Sequence, residues 1–211
     1  MGALAYMTQD QQKVGAKVEE HLRGELEATA PLPFEVEAGD AGKTTVGVIA
    51  KEGLSLLFGG RGESRLFSLI FNLQQPRLFR AEFHMNRQGI GCHCGSILYS
   101  TKLSKPIKGS ISLEDPKMFG SSKFVDADGA DAAAKLNASK EILKAANNFA
   151  RVKANIGGVD ITAPRFFKIA DQDGSAVLVA ATLPRSYAMG FKMSTDAKEF
   201  VHLAELIEAA L

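Results

Sequence analysis

The sequence predicts an α+β fold, a largely antiparallel sheet or sheets packed by three helices. Apolar residues recur at helical spacing in three stretches, and period-two alternation broken by turn residues fills the ground between them. The resulting order is helix, strands, helix, strands, helix, not the strict strand–helix alternation that builds a doubly wound parallel sheet.

Thr8-Gln-Asp-Gln11 reads as a capping box, and Val14, Val18, Leu22 and Leu26 follow at every fourth position until Pro31 and Pro33. This spacing predicts a helix over about 9–29. From Phe34 to Leu113 the alternation predicts six or so antiparallel strands. They are punctuated at Gly39–Gly42, Gly59–Gly62, Gln75–Pro76, Asn86–Gly89 and Lys105–Pro106.

A second helix is expected from about Gly129 to Val152, with Leu136, Ile142, Leu143, Ala146, Phe149 and Ala150 on its apolar side and Gly157-Gly158 ending the segment. Strands resume at Phe166–Ala170 and Ser175–Leu183 around the turn Asp171-Gln172-Asp173-Gly174, and Tyr187–Met193 offers one more. Asp196 with Glu199 reads as a second capping box, opening a C-terminal helix that turns Phe200, Leu203, Leu206, Ile207 and Leu211 inward. One domain over 1–211 with a continuous sheet is expected. Because helix plus strands occurs twice, a two-lobed organisation, 1–125 and 126–211, is the alternative, although no residue-level repeat relates the halves.

The 211 residues can bury a core without staples, and 45% hydrophobic with 23% charged residues is the balance of a globular chain, not a disordered one. The formal charge of +1 hides segregation: residues 1–38 carry seven acids against three bases, and residues 61–123 carry ten bases against four acids. Strands spread such bases over solvent, so nucleic acid is not the expected partner. The start Met-Gly-Ala-Leu-Ala-Tyr has neither a basic region nor a long apolar one, and Tyr6 stands where acylation needs Ser or Thr. Met7 is a candidate natural start, which leaves residues 1–6 outside the native chain. The longest apolar runs, such as Ala176–Leu183, fall short of a membrane span. With two cysteines only one residue apart and no export signal, a cytoplasmic location is expected.

Several motifs fail. Gly39-Asp-Ala-Gly42-Lys43-Thr44 resembles a phosphate loop, but Glu37 replaces its first glycine and a strand-like Thr45–Ala50 follows where a helix is required. Asp126-Ala-Asp128-Gly129-Ala-Asp131 has its glycine too early for a calcium loop and Asn137 where the closing Glu belongs. It reads as an acidic approach to the second helix. No nucleophile elbow, His-Glu-x-x-His pair or Cys-x-x-Cys occurs.

The remaining candidate chemistry is Gly91-Cys92-His93-Cys94-Gly95, which holds both cysteines, and the strand before it, where Phe79, Ala81, Phe83 and Met85 alternate with Arg80, Glu82, His84 and Asn86. If a four-residue loop joins two strands here, Phe83 faces Cys92 and Ala81 faces Cys94. The thiols are then core, and Glu82, His84 and His93 share the other face as a two-His-one-carboxylate set. A three-residue loop slips the register by one, placing His84 opposite Cys92 and near Cys94, the start of a zinc or copper(I) site. The burial tendency of free cysteine favours the first register, with a bulge at Gly95-Ser96 returning Ile97, Tyr99 and Leu103 to the core.

Cys92, His93, Cys94, His84 and Glu82 are accordingly the candidate ligand-binding residues, with ordinary core or half-exposed strand positions as the plain alternative. No catalytic residue is assigned and no cofactor is required, zinc or copper being the candidate metals. The leading functional expectation is a non-enzymatic binding or interaction module, for a protein partner or a small apolar molecule. Its protein-partner version implies a homodimer or pairing at a sheet edge. The alternatives are a metal- or thiol-dependent protein using the Cys-His-Cys stretch, and a structural component of a larger assembly.

Overall fold

The computed structural model describes residues 9–26, 35–38, 63–72, 78–86, 95–114, 121–127, 131–149, 153–156, 159–162, 166–182 and 196–211. Four helices occur in this set: α1 (Gln9–Leu26), α2 (Asp131–Ala138), α3 (Lys140–Asn148) and α4 (Ala197–Ala210). The strands are β1 (Glu35–Ala38), β2 (Glu63–Asn72), β3 (Leu78–Asn86), β4 (Gly95–Lys102), β5 (Ser110–Glu114), β6 (Lys123–Asp126), β7 (Lys153–Ile156), β8 (Val159–Thr162), β9 (Phe166–Gln172) and β10 (Ser175–Thr182). The fold is α+β, and the expected order of helix, strands, helix, strands, helix holds. Tyr187–Met193 lies outside the described residues.

Eight strands form one antiparallel sheet in the order β1-β2-β3-β4-β10-β9-β5-β6, and β7 pairs with β8 separately. The central pairing of β4 with β10, Ala180 opposite Tyr99, joins strands from before and after the helical middle of the chain. Alternation on each strand then sorts side chains between two faces. Phe79, Ala81 and Phe83 of β3, Ile97 and Tyr99 of β4, and Leu178 and Ala180 of β10 turn to one face and join the helices in a single core. Val18, Leu22 and Leu26 of α1, all fully buried, cover that face as their four-residue spacing requires.

Phe200 of α4 is the centre of this core. Its ring stacks on Tyr99 at 4.9 Å and meets Phe79 edge-on at 6.0 Å, while Phe149 stands at 6.0 Å with its ring tilted. The two ends of α4 are tied to other elements. Glu25 of α1 accepts a hydrogen bond from the Ala197 N–H (3.2 Å), and Glu208 takes both the N–H and the hydroxyl of Ser104 in the β4–β5 connection.

The structure corrects the sequence reading at several points. The single helix expected over 129–152 is two. Ser139 adopts an extended conformation, and its hydroxyl accepts from the Ile142 N–H at 3.3 Å, so it ends α2 and caps α3. Asp196 is no capping box: it is left-handed (φ 57°), its side chain makes no cap bond, and Glu25 supplies the acceptor instead. The hairpin turn expected over Asp171–Gly174 is present but shorter, Asp173-Gly174, because β9 runs on to Gln172. Both residues have positive φ, 54° and 77°, as a two-residue turn between right-twisted strands demands, and Asp171 accepts from the Gly174 N–H at 3.2 Å.

β6, a strand absent from the sequence reading, is sealed by side chains. Asn137 of α2 accepts from the Phe124 N–H (2.9 Å) and donates to the Phe124 carbonyl (2.7 Å), standing in for the next strand. Asn147 of α3 accepts from the Ser122 N–H at 3.2 Å. Replacing Asn137 with alanine leaves both Phe124 groups without this partner. We expect a loss of about 1–3 kcal/mol, read as a lower urea midpoint, together with concentration-dependent light scattering as the edge opens. An unchanged midpoint would mean that water satisfies the edge equally well.

Candidate functional site

The opposite face of the sheet carries the candidate residues. On β3 this is the even-numbered row, Arg80, Glu82 and His84. The register sets Arg80 opposite Ser100, Glu82 opposite Leu98 and His84 opposite Ser96. Farther across the same face come Val177, Val179 and Ala181 of β10, then Ala170 and Phe166 of β9, which with Leu98 form a second apolar cluster. Among the described residues no helix contributes to that cluster, yet Leu98, Val179 and Ala181 are fully buried. The sheet centre is therefore closed on both sides. That explains why β10, Ser-Ala-Val-Leu-Val-Ala-Ala-Thr, is apolar almost throughout instead of alternating.

Two ionisable residues lie in this closed face, Glu82 with no exposure and His84 with 1%. His84 Nε2 stands 3.0 Å from Glu82 Oε2, a reach that the i, i+2 relation on one strand face allows. The second ring nitrogen, Nδ1, is buried and has no hydrogen-bond partner. A buried polar atom left unpaired costs about 1–3 kcal/mol, so this one stands out among the described residues. The backbone is irregular at the same level. The pairing of β2 with β3 shifts between Arg65, partner of His84, and Phe67, partner of Phe83, the signature of a bulge.

Neither hairpin register anticipated for the Cys-His-Cys stretch applies. Phe83 is opposite Ile97, Ala81 opposite Tyr99 and Met85 opposite Gly95. Both anticipated registers rested on a tight turn, Asn86–Gly89 or Arg87–Gly89, that brings Cys92 opposite Phe83 or His84, whereas Ile97 and Ser96 stand there. Cys92, His93 and Cys94 lie outside the described residues. Ile97, Tyr99 and Leu103 face the helix-side core, the outcome their shared parity implied.

Of the five sequence candidates, the described structure thus brings together Glu82 and His84. Among the described residues no group of three or more His, Cys, Asp and Glu side chains is placed to hold a metal ion. His21 is half-buried on α1 and His202 exposed on α4, and neither reaches the pair's face. What sequence reasoning missed was the depth of the polar row on β3. The signal for it was present in the unbroken apolar run of β10, because a strand buried on both faces requires neighbours that are covered as well. Among the described residues no helix is long and apolar enough to cross a membrane. No family model, curated protein or solved structure matches the chain.

Proposed function

We propose that the protein is a non-enzymatic binding module whose ligand is held at His84, on the sheet face turned away from the helices. The observation that supports this most directly is the unpartnered, buried Nδ1 of an imidazole whose other nitrogen is already engaged. A site built on a rigid central strand and oriented by a neighbouring carboxylate has the preorganisation that selective binding needs. The version with a protein partner added at a sheet edge loses one of its two edges, since Asn137 occupies the outer side of β6.

Two ligand classes fit, an apolar molecule with one polar group and a metal ion. The metal- or thiol-dependent reading gains from a specific geometry: a histidine that binds a metal through one ring nitrogen commonly donates the other ring N–H to a carboxylate. It gains also from the register. The burial argument for the thiols assumed that Phe83 and Ala81 face Cys92 and Cys94, and those two positions face Ile97 and Tyr99. We propose that Cys92, His93 and Cys94 are the candidate partners of His84, the chain's two thiols being suited to zinc or copper(I).

Native mass spectrometry of the full chain as purified, with elemental analysis, tests the function. About one bound zinc or copper ion per chain is expected, falling below about a tenth after Cys92→Ser with Cys94→Ser. A mass excess belonging to an organic molecule would select the apolar ligand instead. A chain carrying neither, and taking up no zinc on addition, would overturn the binding-module reading.

A further inference from the structure

We infer that the β9–β10 hairpin and α4 together form a clasp: inserted between β4 and β5, they close the sheet, and β1–β6 keep their pairing only while the clasp is engaged. The inference is independent of any ligand and of the reading of His84. Strand order carries it. β5 follows β4 in the chain, but among the described residues the two share no ladder. β1–β4 form one run of paired strands and β5–β6 another, and within the described sheet the hairpin alone joins the two runs. β10 pairs with β4 from Val177 opposite Lys102 to Thr182 opposite Ile97, and β9 pairs with β5 from Ser110 opposite Ala170 to Ser112 opposite Lys168. The Leu103 N–H donates to the Ala176 carbonyl at 2.8 Å, carrying the first ladder one residue further. Withdrawing the hairpin would strip both ladders and leave β4 and β5 with open edges. α4 acts on the same strands: Phe200 stacks on Tyr99 of β4 and meets Phe79 of β3, and Glu208 accepts from the Ser104 N–H between β4 and β5. The hairpin closes through its own turn at Asp173-Gly174, whereas β3, β4 and β5 lie far earlier in the chain. Closing so long a loop costs entropy that one ladder returns poorly, and two ladders and a helix formed together offset it, which makes closure all-or-none. A two-lobed arrangement, 1–125 and 126–211, would instead let β1–β6 stand without the clasp.

The test is native-state hydrogen exchange on the full chain in rising urea, read by mass spectrometry on peptides covering β3 and β4, β5 and β6, and β9 and β10. All three sets are expected to lose protection at one common urea concentration. Peptides of β3 and β4 that stay protected where those of β9 and β10 have already exchanged would overturn the inference. Val179→Pro in the full chain gives a second reading, because position 179 stands between Ser100 of β4 and Lys168 of β9, and proline removes a ladder hydrogen bond from a strand paired on both sides. Protection is expected to be lost in β3 and β4 along with β9 and β10. A variant that opens the hairpin and leaves β3 and β4 protected would show two independent lobes and sink the clasp. Because the wild-type exchange profile carries the result by itself, the inference stays falsifiable however poorly the variant folds.

Discussion

Phe200→Ala is expected to destabilise the protein by about 3–5 kcal/mol, the range for truncating a fully buried phenylalanine. The upper part of that range is expected because of where the ring sits. It stacks on Tyr99 at 4.9 Å, meets Phe79 edge-on at 6.0 Å, and lies 6.0 Å from Phe149. These three partners come from β4, β3 and the residue that ends α3, all of them fully buried, so the space left behind is walled by elements that cannot all collapse into it. Aromatic pairs of this kind also contribute about 0.5–1.5 kcal/mol beyond the area they bury. Against a typical domain stability of about 5–15 kcal/mol, the loss is large enough to populate unfolded chain at ordinary temperature. Leu78→Ala is the control: Leu78 is 52% exposed at the start of β3, and its truncation is expected to stay within about 0.5 kcal/mol. Urea unfolding checks both. A Phe200→Ala midpoint close to wild type, at unchanged slope, would mean that α4 does not anchor the core.

The parts of this fold that were legible in the sequence are those where one short-range rule decides the outcome. Val18, Leu22 and Leu26 repeat at helical spacing and are buried together, and Asp173-Gly174 carries the positive φ values a two-residue hairpin needs. The parts that were not legible depend on competition or on distant partners. Leu136 and Ile142 belong to one continuous helical pattern, but the hydroxyl of Ser139 offers its neighbours a cap, and the helix divides there. Gly157-Gly158 reads equally well as a helix stop and as the link between Ile156 and Val159, which pair across it. Asp196 has the sequence spacing of a capping box, but Glu25, 172 residues away, reaches the Ala197 N–H, a contact local sequence cannot reveal.

The site divides along the same line. Alternation along β3 correctly separates Phe79, Ala81 and Phe83 from Arg80, Glu82 and His84, because a strand's period is independent of its neighbours. Cross-strand register is different, since it depends on how many residues the connection spends. Assuming a loop of three or four residues ending at Gly89 put Cys92 and Cys94 opposite β3, whereas Gly95 and Ile97 stand there. The assignment of both thiols to the core was a consequence of that assumption, so its support goes with it. Whether a polar row faces water or a covered interior is likewise not written in the row itself. Here it follows from Leu98, Val179 and Ala181 on the adjoining strands of the same face.

The buried pair supplies the second large effect. His84→Leu is expected to cost about 3–5 kcal/mol, because it leaves Glu82, with no exposed surface, without the imidazole that stands 3.0 Å from its carboxylate. Much of that cost is the desolvation of a buried polar group that has lost a partner, not the worth of the pair, and a second substitution separates the two. Replacing both residues with leucine removes the charge together with its partner and extends the apolar surface of Leu98, Val179 and Ala181. The double variant is therefore expected to recover more than half of the loss, whereas two independent residues would add their costs. Recovery stops short of complete because Glu82 has interactions besides this one, and those are lost as well. The same double variant carries the functional argument: a pair retained only for folding would leave no deficit once stability is restored, while a binding site would leave a folded protein unable to take up its ligand. Urea midpoints for the four members of the cycle, set beside zinc uptake by the double variant, make the comparison. A stable double variant that binds zinc like the wild type would show the pair to be structural, and a His84→Leu cost below about 1 kcal/mol would show that water reaches the carboxylate.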